Sequence, residues 1–161
     1  MKESIQFFNI NKTYDHTRDL AAKQVVECRV DNAVYLPKRA NATDAGADLR
    51  STEKCEIYPG ETKLIDSGVA VKIPQGYGGF VFNRSGQGSK GIIVLNGVGV
   101  IDSDYRGNIK IPLKNISDNR YTIEVGDRIA QLVIMPVILC DFVDSWNDTE
   151  RGTGGFGSTG K

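Results

Sequence analysis

Beyond residue 23 the chain is a succession of short apolar runs, rich in Val, Ile and Tyr, separated by Gly, Pro, Asn and Asp. That texture predicts strands joined by turns, at 24–30, 55–58, 63–73, 79–82, 92–95, 108–113, 121–124, 129–137 and 139–143. No long amphipathic helical pattern follows residue 30, and the 18 glycines suit tight turns better than helices. The pattern predicts an all-β fold, a β-sandwich or jelly roll. Residues 1–23 carry mixed charges and the one histidine, His16, with no clear period beyond a short helical stretch at 19–26. They read as an N-terminal extension of unknown role. Residues 24–150 read as one β domain, without an internal repeat or a dividing linker. The last segment, RGTGGFGSTGK at 151–161, cannot pack a core of its own.

A length of 161 residues fits one domain with one core. Lys plus Arg and Asp plus Glu balance at 20 each, so overall charge points to neither a nucleic acid nor an anionic membrane as partner. Any anion site must come from local clustering. Cys28, Cys55 and Cys140 are odd in number and widely spaced, which argues against a disulfide framework or a zinc knuckle and for a reducing compartment. The start lacks the layout of a secretory signal, and no apolar run reaches the ~20 residues of a membrane span. The expectation is a soluble, cytoplasmic protein.

With one histidine and scattered cysteines, a Ser-His-Asp triad, a Cys-His pair and a His-rich metal site are all disfavoured. Chemistry would have to run on carboxylates, cations and a metal. Five segments concentrate the polar and glycine-rich positions for it: DAGADLRS (44–51), NRSGQGSKG (83–91), NGVGVIDSDYRGN (96–108), GDRIAQ (126–131) and the tail. Four read as turns and the fourth as the opening of a strand. In the third, the runs 98–101 and 108–113 flank a polar turn and predict two arms of a β-hairpin. Arg84 can fork onto two phosphate oxygens, Ser85 can donate through hydroxyl and amide, and Gly86 lets backbone approach an anion. Taken singly, each has a plainer reading: Asp48 a strand-edge aspartate, Arg84 a solvated arginine, Gln131 a strand residue, Asp102 a turn former. The tail run GFGSTGK matches the letters of a P-loop, but a P-loop sits between strand and helix with Ser or Thr after the lysine, and here Lys161 is last.

In this order the five segments resemble the five motifs of the trimeric dUTPase family, with the resemblance covering roughly residues 24–160. GVIDSDYRG and RGTGGFG are its most specific parts. The resemblance implies a jelly-roll protomer, a homotrimer with active sites shared between subunits, and Mg2+-assisted hydrolysis of dUTP to dUMP and pyrophosphate. Such an activity limits uracil in DNA and supplies dUMP for dTMP synthesis. It further implies Asp102 as the general base on the attacking water, Tyr105 packed against deoxyribose, and Asn96, Gly99, Val100, Ile101 and Lys110 around the nucleoside. Arg84, Ser85, Gly86 and Gln131 would form a phosphate wall, and Asp48 would meet magnesium through water. In the tail, Phe156 would cover uracil while Arg151, Gly157, Ser158 and Thr159 hold the outer phosphates.

Three positions depart from the family pattern: Ala47 in place of an aromatic, Asn83 in place of proline, and Gln87 in place of an apolar residue. The stretch between Arg84 and Asn96 is one residue short. Residues 1–23 have no family counterpart and are where a protein partner would be sought. The competing readings are a non-catalytic nucleotide-binding regulator on the same scaffold, a dCTP deaminase, which would need a glutamate and an arginine at the base pocket, and a structural jelly roll such as a coat or lectin domain. A structural domain explains the strands but not five ordered polar segments.

Overall fold

The computed structural model describes residues 25–150 and 152–154. Among them the chain forms strands β1 (Glu27–Val30), β2 (Ala47–Arg50), β3 (Cys55–Ile57), β4 (Thr62–Asp66), β5 (Val69–Lys72), β6 (Tyr77–Phe82), β7 (Ile92–Val94), β8 (Gly99–Ile101), β9 (Lys110–Asn115), β10 (Tyr121–Ile123) and β11 (Arg128–Pro136), with one α-helical turn, α1 (Ser85–Gly88), and a 3-10 turn at Ala33–Tyr35. Every pairing between strands is antiparallel. The sheets run β2-β11-β6-β8, β4-β9-β7, β1-β5 and β10-β3. Together they make the all-β jelly-roll sandwich expected from the sequence.

Alternation along the strands explains how one core forms. In β9, Ile111, Leu113 and Asn115 point inward while Lys110, Pro112 and Lys114 do not. In β2, Ala47 and Leu49 are buried and Asp48 and Arg50 face outward. A period of two allows each strand to place one face on the core and the other on a site or solvent. Leu49, Ile57, Ile65, Ile111, Leu113, Ile123 and Ile129 are fully buried in a single cluster. Asn115 is buried with them and satisfied on all sides: its Nδ2 donates to the Ile57 and Asn119 carbonyls at 2.8 and 2.7 Å, and its Oδ1 accepts from the Ser117 amide and hydroxyl at 2.9 and 2.7 Å.

Several expectations need correction. The run at 63–73 is two strands, because Asp66 folds its carboxylate back onto the Gly68 amide at 2.7 Å and turns the chain. The DAGADLRS segment, read as a turn, contains strand β2. NRSGQGSKG contains α1. The two arms expected to form a hairpin do not pair with each other: β8 joins β6, and β9 lies between β4 and β7. No strand forms at 139–143, where Leu139, Phe142 and Val143 are exposed. Of the helical stretch at 19–26, Val25 and Val26 are described and are not helical, and the rest lies outside the described residues. Among the described residues no helix is long and apolar enough to cross a membrane.

Asn115→Ala would take a donor from the buried Ile57 carbonyl and leave a void. The expected loss is about 2–4 kcal/mol of unfolding free energy by urea denaturation. A loss below about 0.5 kcal/mol would show that the buried network contributes nothing net.

Candidate active site

Three adjacent strands bring the first cluster together. Asp48 on β2 lies across from Gln131 on β11, and Gln131 lies across from Phe82 at the end of β6. Because Leu49, Ala130 and Leu132 take the inner face, Asp48 and Gln131 share the outer one. The chain leaving β6 passes Asn83 and turns at once into Arg84, Ser85 and Gly86. Asp48, Gln131, Arg84, Ser85 and Gly86 line a cleft of about 350 Å³ that also holds Gly46 and Arg128. Residues from the first, second and fourth polar segments therefore meet in one place.

Asp48 is the hub of this cleft. Arg84 Nε reaches its Oδ1 at 2.8 Å and Arg128 Nη1 its Oδ2 at 3.3 Å, with the Asp48 side chain only 15% exposed. The Arg84 Nη1 donates to the Arg128 carbonyl at 3.1 Å, which orients the guanidinium plane. Gln131 Nε2 donates to the Asn83 carbonyl at 3.0 Å and ties β11 to the turn after β6. Gly46 is required for this placement, since a Cβ there would run into the Gln131 side-chain amide, whose Cδ would lie at 3.0 Å.

Arg128 was not singled out in the sequence. It lies three positions before Gln131, and strict alternation would put the two on opposite faces. A β-bulge between Arg128 and Ala130 inserts one extra residue against β2 and restores both to the same cleft. A charged residue in the same polar segment as Gln131 was the available signal.

The other predicted residues lie elsewhere on the protomer. Val100, Ile101 and Asp102 line a second cleft of about 940 Å³, shared with Tyr77, Gly78 and Arg106. The Asp102 carbonyl accepts from the Tyr105 amide at 3.2 Å, closing the turn that follows β8. Tyr105 folds back over Gly107 and donates its hydroxyl to the Asn108 carbonyl at 3.1 Å. Gly99 starts β8, Asn96 is exposed in the turn before it, and Lys110 is exposed at the start of β9, across from Asp66. Arg151, Phe156, Gly157, Ser158 and Thr159 lie outside the described residues.

Thiol chemistry has little support. Burial pushes the Cys28 thiol up, and burial with a smaller opposing effect of Lys63 does the same for Cys55, so both favour the protonated, weakly nucleophilic form. Among the described residues no three His, Cys, Asp or Glu side chains gather into a metal cage.

Comparison with known proteins places the chain in a family. The dUTPase family model matches residues 32–160. The deoxyuridine 5'-triphosphate nucleotidohydrolase of Corynebacterium glutamicum is 46% identical over 147 residues, covering 89% of this chain and 97% of the relative. That of Haemophilus influenzae is 44% identical over 144 residues, covering 86% and 95%. Among solved structures, the Staphylococcus bacteriophage 80alpha dUTPase with dUpNHpp superposes with a TM-score of 0.76 at 33% identity, covering 86% of this chain and 100% of that one. A mutant dUTPase from S. aureus phage phi11, at TM-score 0.70 and 31% identity over 77% of this chain and 98% of that one, is described as coordinating a structural Mg(II) ion. The chain belongs to the dUTPase family.

Gly46→Ala should displace the Gln131 amide and break its bond to the Asn83 carbonyl, lowering stability by about 1 kcal/mol in thermal denaturation. In a Gln131→Ala background the same substitution should cost less, and equal costs in both backgrounds would refute the contact.

Proposed function

We propose that this protein hydrolyses dUTP to dUMP and pyrophosphate, as a dUTP diphosphatase. Family membership across residues 32–160 supports the activity. The observation that carries the site reading is the convergence of Asp48, Arg84, Ser85, Gly86, Arg128 and Gln131 on one cleft, drawn from three separate sequence segments.

In this reading the cleft takes the triphosphate. Arg84 offers its guanidinium, Ser85 its hydroxyl and amide, and Gly86 an unobstructed backbone, since a Cβ there would meet nothing within 4 Å. Donors already oriented on Asp48 and on the Arg128 carbonyl lose little freedom when an anion arrives. Asp102 orients a water toward the α-phosphorus and takes its proton as the new oxygen–phosphorus bond forms. The bond from the α-phosphorus to the bridging oxygen breaks, and pyrophosphate leaves with that oxygen. Tyr105 packs against deoxyribose, and Asn96, Gly99, Val100, Ile101 and Lys110 surround the nucleoside. Phe156 closes over uracil, with Arg151, Gly157, Ser158 and Thr159 on the outer phosphates.

Magnesium fits this cleft as a cation that arrives on the triphosphate. Both Asp48 oxygens already accept from arginines, and the described residues offer no set of three metal-ligating side chains. Such a donor set suits an ion held by phosphate oxygens and water, with Asp48 outside its direct shell. When bound, the ion neutralises charge on the phosphate oxygens.

The active unit in this proposal is a homotrimer. Within one protomer Asp102 lines one cleft and the phosphate residues line another, so a second copy that supplies the missing half makes one complete site. The exposed Leu139, Phe142 and Trp146 give the stretch before the tail an apolar face for a neighbouring subunit. The unit divides into a β domain at 24–150 and a closing arm at 151–161, with residues 1–23 preceding the family match.

The test is pyrophosphate release from dUTP, dCTP, dTTP and UTP with magnesium. Native protein should act selectively on dUTP, and Asp102→Asn should lower kcat by about 10²-fold or more. Release that persists at the native rate in the variant removes Asp102 as the base, and no release by folded native protein removes the activity. A chain ending at residue 150 should keep its fold and lose most of its turnover, because closure by the arm excludes water from the reacting groups. Full turnover without the arm would overturn its role.

A further inference from the structure

Among the described residues three buried side-chain oxygens have no hydrogen-bond partner: Ser67 Oγ, Asn83 Oδ1 and Gln87 Oε1. A buried acceptor without a donor carries a desolvation penalty that nothing local offsets. Two of the three belong to residues that flank the Arg84–Gly86 turn, where an apolar side chain would fill the same volume without that penalty.

What these amides contribute lies at their nitrogen ends. Gln87 is 7% exposed and is the buried residue of α1. Its Nε2 donates to the Arg128 carbonyl at 3.1 Å, and the same carbonyl accepts Arg84 Nη1 at 3.1 Å. Asn83 Nδ2 donates to the Ile92 carbonyl at 3.2 Å, while the Asn83 carbonyl accepts from Gln131. The turn carrying Arg84 is thus fastened on either side by a side-chain amide whose oxygen has no partner among the described residues.

We infer that Gln87 is a positioning residue for nucleotide binding: by holding the Arg128 carbonyl it fixes the acceptor that orients the Arg84 guanidinium in the cleft. Gln87 does not line the cleft and acts through Arg84. The inference rests on the phosphate role proposed above for Arg84. It predicts that stability and binding respond in opposite senses when Gln87 becomes apolar, because the orphaned oxygen and the useful donor are removed together.

The experiment compares native protein, Gln87→Leu and a control, Ser67→Ala, which removes an orphaned oxygen between β4 and β5. Thermal denaturation is read beside steady-state kinetics on dUTP with magnesium. Gln87→Leu should melt at or above the native temperature while KM rises about 3- to 10-fold, the weight of one hydrogen bond, with kcat within about twofold. Ser67→Ala should melt at or above the native temperature with KM unchanged. An unchanged KM in folded Gln87→Leu, an equal rise in the control, or a fall in melting temperature with equal losses in kcat and kcat/KM would overturn the inference. If Gln87→Leu does not fold, Gln87→Met is read by the same criteria. Calorimetric titration with inorganic tripolyphosphate separates this idea from the substrate reading. Native protein inactive on dUTP, whose tripolyphosphate affinity still falls about 3- to 10-fold in Gln87→Leu, upholds the positioning role and refutes the substrate; unchanged affinity refutes the positioning role.

Discussion

A single carboxylate, Asp48, holds two guanidinium groups, and the form of the first cleft depends on that contact. Arg84 comes from the turn after β6 and Arg128 from the start of β11, so the contact joins three neighbouring strands through their outward side chains. Without the carboxylate, two like charges would face each other where water only partly screens them, and each would swing outward. With it, both are held at fixed angles before any anion arrives. Partial burial matters here: a fully exposed pair would be loose and screened, and a fully buried one would carry a large desolvation cost.

Much of the fold was legible because alternation in β9 and the apolar runs of β6 and β11 report directly on which face is buried. β2 was hidden for the opposite reason. Its outward residues, Asp48 and Arg50, are charged because they face a cleft and a neighbouring turn, where the Arg50 Nη1 meets the Gly126 carbonyl at 2.7 Å. A four-residue strand with two charged positions looks like a loop. The expected hairpin failed because adjacency in sequence does not decide which sheet a strand enters, and β8 and β9 leave their shared turn for different sheets.

For the site, the resemblance of the ordered polar segments to the family's motifs nominated Asp48, Arg84, Ser85, Gly86 and Gln131, which the fold brings together. It could not reveal that Asp102 lines a different cleft of the same protomer, because residue identity does not say which strands bring distant segments together. Gln87 and Asn83 stood out only as departures from a pattern. Their meaning depends on which atom of each amide is paired, and that is a property of packing.

The bulge in β11 lets two consecutive residues serve the core while the residues on either side of them serve the cleft. Ile129 and Ala130 are both fully buried, and Arg128 before them and Gln131 after them still share the cleft because the extra residue is absorbed against β2. A single-codon deletion at Ile129 would turn this stretch into a regular strand in which Arg128, then two positions before Gln131, keeps its outward face, and the loss would fall on the core instead. Genetic variation that shortens β11 here is therefore expected to surface first as instability, with the cleft residues all in place.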